Sequence, residues 1–70
     1  MKVTTNKDII TIEYKDHLIE LKDGYATVYK PHPVIGERLE EFCFFSEKYN
    51  IHLSMSEFLR KVDEIILKWK

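Results

Sequence analysis

The pattern of apolar and polar residues is clearest between Ser54 and Trp69, where apolar side chains recur at intervals of three and four. This spacing places them on one face of an α-helix and leaves charged residues on the opposite face. Ser54 and Glu57 are three residues apart, which is the spacing of a capping box. We therefore predict a helix over about 55–69. Its apolar stripe consists of Met55, Phe58, Leu59, Val62, Ile65, Ile66 and Trp69.

Three short segments upstream are predicted to be strands. The first two alternate between apolar and polar residues, although the second leaves its buried face ambiguous, and the third is rich in aromatic and β-branched residues. They cover about 9–15, 17–22 and 25–30, and the simplest arrangement is an antiparallel meander. Asp23-Gly24 separates the last two segments, since glycine suits the positive φ of a two-residue hairpin turn. Residues 1–8 are mostly polar and are predicted to be irregular.

A second helix is predicted over about 34–49, because Leu39, Phe42 and Tyr49 belong to one apolar stripe. Pro33 suits the first position of this helix. The predicted fold class is α+β, with a three-stranded antiparallel sheet followed by two antiparallel helices. We expect a single domain over residues 1–70, in which 1–24 form an N-terminal hairpin extension and 25–70 a strand-helix-helix unit.

Two apolar residues break the helical pattern. Phe44 falls among the charged residues of the first predicted helix, and Leu67 falls opposite the apolar stripe of the second. The stripe of the first helix is also wider than one neighbouring helix requires, with Phe45 at its flank. Together these features favour a protein interface at Phe44, Phe45 and Leu67, and the simplest such interface is a homodimer.

Composition limits the function. A chain of 70 residues with 44% hydrophobic and 33% charged residues is one small, ordered domain. Its net charge of −1 argues against a nucleic-acid binder, which is usually basic. The abundance of Lys, Glu and Ile, without Gln, is typical of a thermophile. No signal peptide or membrane span is evident, so we expect a cytoplasmic protein that does not contact a membrane.

The sequence contains no pattern typical of a catalytic or metal site. His17, His32 and His52 lack metal-ligand spacing, and Cys43 is the sole cysteine, within an apolar arc. The two glycines are isolated, which excludes a glycine-rich phosphate loop. We therefore predict a protein that is not an enzyme and has neither cofactor nor metal.

Two segments nevertheless carry a family resemblance. Glu37–Phe42 (ERLEEF) and Ser56–Arg60 (SEFLR), preceded by a strand that ends at Pro31, resemble the ribbon-helix-helix DNA-binding superfamily over 25–69. The resemblance implies a dimeric transcription regulator whose paired strands enter the major groove of double-stranded DNA. It also implies that backbone amides at the start of the second helix hold a DNA phosphate.

The DNA-binding residues implied by the resemblance depend on the strand register. Alignment on Pro31 directs Tyr25, Thr27 and Tyr29 outwards, whereas alignment on the first helix directs Ala26, Val28 and Lys30 outwards, since a shift of one residue exchanges the two faces. The core-like character of Ala26 and Val28 favours the first alignment. The implied DNA-binding residues are Tyr25, Thr27, Tyr29, Lys30, Ser54 and Ser56.

A second function class remains open. The net charge and the aromatic residues Tyr25, Tyr29 and Phe44 are equally typical of a protein-protein interaction module that does not bind DNA. Such a module could be a small accessory or inhibitor protein of a virus or other mobile element.

Overall fold

The computed structural model describes residues 1–31 and 37–70 of the chain. Within these residues it contains seven strands and one helix. Five strands form the main sheet, two short strands form a separate hairpin, and the helix follows them. The elements are β1 (Lys2–Asn6), β2 (Ile9–Tyr14), β3 (His17–Lys22), β4 (Tyr25–Tyr29), β5 (Arg38–Cys43), β6 (Phe45–Ser46), β7 (Ile51–His52) and α1 (Met55–Lys68).

The main sheet is an antiparallel meander in which β1 to β5 lie side by side in chain order. Two of its hairpins turn through residue pairs with positive φ. These are Lys15 and Asp16, at 49° and 66°, and Asp23 and Gly24, at 53° and 80°. Positive φ at both central positions gives a turn whose twist matches that of the strands it connects.

The helix α1 packs on one face of this sheet through the apolar stripe seen in the sequence. Phe58, Val62 and Ile65 are buried, and they form one cluster with the buried strand residues Ile12, Ile19, Ala26 and Val28. Ser54 is the N-cap, and its hydroxyl accepts a hydrogen bond from the Glu57 amide at 3.3 Å. Burial of each large apolar side chain stabilises the fold by about 1.5–3 kcal/mol.

Polar contacts attach both flanks of α1 to the sheet. On one flank, Asp63 accepts hydrogen bonds from the Tyr14 hydroxyl at 3.0 Å and from Lys15 Nζ at 2.8 Å. On the other flank, Glu40 of β5 accepts a hydrogen bond from Trp69 Nε1 at 3.2 Å, and Lys68 Nζ lies 3.6 Å from the same carboxylate. The helix therefore lies across the sheet between β2 and β5.

The predicted ribbon-helix-helix fold is wrong, and so is the predicted class of three strands followed by two helices. The main sheet has five strands, and a single helix is present among the described residues. Much of the predicted helix 34–49 is instead β5, β6 and the turn at 47–50. The residues 32–36, which include Pro33 and the start of that helix, lie outside the described part of the chain.

An irregularity in β5 explains why this strand resembled a helix. Val28 is opposite Glu40 and Tyr29 is opposite Arg38, so that Leu39 is an extra residue in the ladder. Both Leu39 and Phe42 pack against the core, although they are three residues apart. This interval is typical of a helix, and the bulge produces it in a strand.

The strand β1 was also missed, since residues 1–8 were predicted to be irregular. All five of its residues are exposed, and it is formed through pairing with β2 from Lys2–Glu13 to Asn6–Ile9. A strand without a buried face lacks the alternating pattern by which strands are identified.

The fold depends on the aromatic side chain at the first buried position of α1. Phe58 is 5% exposed, and its ring lies 5.4 Å from the Phe42 ring and 5.8 Å from the Phe44 ring. Phe58→Ala should therefore lower the free energy of unfolding by about 3–5 kcal/mol in urea denaturation. The matched control is Leu67→Ala, which should change it by less than about 0.5 kcal/mol because Leu67 is exposed. Equal losses for the two variants would contradict this packing.

The turn at Gly24 should be intolerant of a side chain. A Cβ at this position would lie 2.4 Å from the Phe45 carbonyl oxygen, and φ is 80°. We expect Gly24→Ala to destabilise the fold by at least about 1–2 kcal/mol, since both strain and steric overlap oppose it. Asp23→Gly keeps the positive φ without adding an atom, so its effect should stay within about 1 kcal/mol. Thermal unfolding of both variants compares the two positions directly.

Candidate functional site

The sheet face opposite α1, here called the open face, carries a row of polar residues. Cross-strand pairing aligns one residue from each strand in this row, namely Thr4, Thr11, Glu20, Thr27 and Glu41. Thr27 is only 8% exposed, and its hydroxyl donates a hydrogen bond to Glu41 Oε2 at 3.1 Å. The centre of the open face is therefore a hydrogen-bonded polar surface that contains two carboxylates.

Charged residues of both signs surround β4 on the open face, since Glu20 and Glu41 flank Thr27 while Lys22 and Arg38 pair with Tyr25 and Tyr29. Burial, together with the nearby charges of Glu20 and Glu41, holds the pKa of the Tyr29 hydroxyl above its ordinary value, although Arg38 opposes this effect. Tyr29 therefore stays neutral throughout the physiological range. The charges beside β4 are therefore balanced, with two carboxylates at its centre and one basic side chain at each end.

Aromatic side chains gather at the end of the sheet near Gly24. Tyr25 lies opposite Cys43 on β5, and the Cys43 thiol donates to the Phe45 carbonyl oxygen at 3.5 Å. Phe45 pairs with His52 between β6 and β7, and their rings meet edge to face with centroids 5.9 Å apart. We call Tyr25, Cys43, Phe45 and His52 the aromatic corner.

Backbone hydrogen bonds hold the aromatic corner in position. The Gly24 carbonyl oxygen accepts from the Phe44 amide at 2.9 Å and from the Phe45 amide at 3.2 Å. The Phe44 carbonyl in turn accepts from the Leu53 amide at 3.1 Å. The β6–β7 hairpin is thus joined both to the β3–β4 turn and to the segment that leads into α1.

The sequence-predicted residues of β4 lie on the open face. Tyr25, Thr27 and Tyr29 alternate with the fully buried Ala26 and Val28, so the orientation favoured from the sequence is confirmed. However, β4 pairs with β3 on one side and β5 on the other, within its own chain. It therefore cannot form the two-stranded ribbon with a second copy that the family resemblance implied.

The remaining predicted DNA contacts lie elsewhere. Lys30 forms an ion pair with Glu37 at 2.8 Å, and this lysine lowers the pKa of the Glu37 carboxyl. Ser54 and Ser56 lie at the start of α1, where their hydroxyls are 3.2 Å apart. Since α1 is on the opposite face from Thr27, the sheet separates these serines from the outward residues of β4. A role in DNA binding for these positions stays a prediction.

The three residues predicted for an interface differ in exposure. Phe44 is half-buried, and its ring packs edge to face against Phe58 as part of the core. Phe45 and Leu67 are exposed, the latter by 73%. Phe45 belongs to the aromatic corner, whereas Leu67 lies near the end of α1. Participation of Phe45 and Leu67 in an interface stays a prediction.

Within 1–31 and 37–70, no three His, Cys, Asp or Glu side chains are close enough together to hold a metal ion. The same part of the chain has no helix whose length and apolar character would allow it to cross a membrane. A surface cleft beside the β2–β3 turn is lined by residues of both charges, among them Lys2, Glu13, Lys15, Asp16 and His17.

Comparison with known proteins adds no relative. No family model matches the chain, and no curated protein or solved structure matches it. The function must therefore be argued from the surfaces described above.

Sequence reasoning missed the polar partners of these surfaces. On the two helices predicted from the sequence, Glu40, Glu41 and Asp63 would belong to the charged faces, whereas in the structure each contacts a side chain from another element. The pairing of β5 with β4 determines the first two contacts. The extra residue Leu39 interrupts the alternation of apolar and polar residues by which β5 would be identified as a strand.

The contact between Asp63 and Lys15 should make stability depend on pH. The hydrogen bond from Lys15 lowers the pKa of the Asp63 carboxyl, and the bond to Asp63 raises the pKa of Lys15. A lowered carboxyl pKa stabilises the fold above the unfolded-state pKa, and this contribution disappears as the pH falls through the folded-state value. Urea denaturation should therefore show a weaker loss of stability in acid for Asp63→Asn than for the original chain.

The matched control for that experiment is Asp16→Asn. Asp16 is an exposed carboxylate in the neighbouring turn, and this change should leave the acid dependence close to that of the original chain. If the original chain, Asp63→Asn and Asp16→Asn lost the same free energy of unfolding in acid, a contribution from Asp63 would be excluded.

Proposed function

We propose that this protein is a non-enzymatic protein-binding module, and that its aromatic corner inserts into an apolar pocket of a partner protein. The observation that carries the proposal is the exposure of Phe45 on a fixed backbone. Phe45 is 47% exposed, yet its amide is bonded to Gly24 and its strand is paired with β7. Aromatic anchors of this kind are typical of binding hot spots.

The fixed backbone favours binding because little conformational entropy is lost on association. Phe45 has two side-chain torsions, and its backbone is already ordered before a partner arrives. Tyr25, which is also exposed, adds apolar area with a hydroxyl at its tip. The corner therefore places Phe45, which a partner can bury, beside the amphipathic Tyr25. Aromatic residues of this kind are enriched at protein interfaces.

Charge indicates the chemistry of the partner. The position next to Cys43 along the open face of β5 is the exposed carboxylate Glu41. Glu41 and Glu20 lie in the same cross-strand row. Lys22 pairs with Tyr25 of the corner, so the charges around the corner are of both signs. A partner with an apolar pocket and a rim of mixed charge would complement this surface.

A site-specific cross-link tests this proposal. The photoreactive p-benzoylphenylalanine placed at position 45 should capture one protein from cells of the source organism, and the same group at position 67 should not. The captured protein is then purified, and its affinity for the original chain is measured by calorimetry. Phe45→Glu should weaken that binding by at least about tenfold, because a charge replaces the anchor.

The matched control in the binding measurement is Leu67→Ser, which removes a comparably exposed apolar residue outside the corner. Its affinity should equal that of the original chain. The proposal would be overturned if Phe45→Glu bound the partner as tightly as the original chain does. It would also be overturned if the original chain bound duplex DNA with an affinity that fell steeply as the salt concentration rose.

A further inference from the structure

The two edges of the main sheet differ in how they are protected against pairing. The β5 edge contains the bulge at Leu39 and the charged residues Arg38, Glu40 and Glu41. Bulges and charges are the usual means by which an exposed edge avoids pairing with another chain. The β5 edge is therefore a poor template for a further strand.

The β1 edge is less protected, because it has no bulge and Lys2 is the one charged residue among its five. Its register with β2 is regular from Lys2 to Asn6, and the four residues 3–6 are uncharged. Within the described residues, β1 pairs with β2 alone. A regular edge strand with unpaired N–H and C=O groups is a template for antiparallel addition of another strand.

An apolar surface lies beside this edge on the face that carries α1. Val3 is opposite the core residue Ile12, and its side chain is 56% exposed. Ile10, two positions away on β2, faces the same way and is also exposed. Leu59 and Ile66 lie on the same flank of α1 as Asp63, which accepts a hydrogen bond from Tyr14 of β2. Both side chains are half-buried. We call Val3, Ile10, Leu59 and Ile66 the apolar shelf.

We propose that β1 pairs antiparallel with β1 of a second copy of this chain, about a two-fold axis at Thr4. The two sheets then join into one ten-stranded sheet with both α1 helices on the same face. The apolar shelves of the two copies then lie against each other beside the axis. The shelf of one copy covers the exposed Val3 and Ile10 of the other. This interface is separate from the aromatic corner, which remains free at the far end of each sheet.

The register of the edge strand favours β1 of a second copy of this chain as its pairing partner. Pairing about Thr4 places Val3 opposite Thr5 and Lys2 opposite Asn6 of the other copy, so no like charges are opposed. An antiparallel pair of identical strands is self-complementary, which is the requirement of a two-fold interface. A small domain of this size also commonly gains stability from a partner subunit.

A stable dimer requires a definite share of the chain's surface. The accessible surface of the chain is 5437 Å². A stable interface of standard size covers about 800 Å² of each partner, which is about 15% of that surface. The edge strand alone is too narrow for this area, so the proposed dimer requires the apolar shelf to be covered as well.

A cysteine at the two-fold axis tests the register. In a Cys43→Ser background, two copies of Thr4→Cys would have Cα atoms about 4.5–5.5 Å apart. This separation lies within the range that a disulfide bridges, about 4.4–6.8 Å. Under mild oxidation Thr4→Cys should form a covalent dimer at least about tenfold faster than Asn6→Cys. Two copies of Asn6→Cys would be about 13 Å apart, since four residues separate them along the strand.

Sedimentation velocity of the chain without cysteine substitution tests the assembly itself. It should sediment as a dimer at a concentration of tens of micromolar, and Val3→Lys should convert it to a monomer because a charge enters the apolar shelf. Phe45→Glu and Leu67→Ser should remain dimeric, which separates this interface from the proposed binding site. A monomer at every concentration would overturn the proposal. Equal cross-linking at positions 4 and 6, or loss of the dimer in Leu67→Ser, would overturn it as well.

Discussion

Phe58, Val62 and Ile65 cover the central strands of the sheet, and the other surfaces of the molecule follow from this contact. Because α1 covers one face, Tyr25, Thr27 and Tyr29 are directed to the other. The helix lies between β2 and β5, which leaves β1 beyond its reach on the same face. One apolar contact thus determines where the chain has a polar face, where it has an aromatic corner and where it has an uncovered edge.

The polar contacts at the flanks of α1 have a different role. The side chains of Lys15 and Asp63 are 58% and 41% exposed, and pairs with such exposure contribute little to stability. Their effect is geometric, since Asp63 joins α1 to the end of β2 while Glu40 joins its last turn to β5. Burial of the apolar stripe stabilises the packing of α1 on the sheet. The polar contacts at its flanks favour one orientation of the helix on that sheet.

The sequence predicts the parts of the fold whose patterns are local. The helix over about 55–69 and its cap at Ser54 were predictable because a helix with a buried stripe has a regular period. The strand β5 was not, because the extra residue Leu39 gives it helical spacing, and β1 was not, because it has no buried face. An interface role for Phe45 was predicted and stays a prediction, whereas its neighbours in the aromatic corner depend on strand pairing that the sequence pattern did not reveal.

The meander topology has a consequence for the order of folding. Every pairing in the main sheet joins strands that follow one another along the chain, so each hairpin closes only a short loop. The contact between Tyr14 and Asp63, by contrast, spans 49 residues. We therefore expect the hairpins to form early and α1 to dock late. Until it docks, Ile19 and Val28 are exposed to water, and the half-formed protein is at its most vulnerable to aggregation and to proteases.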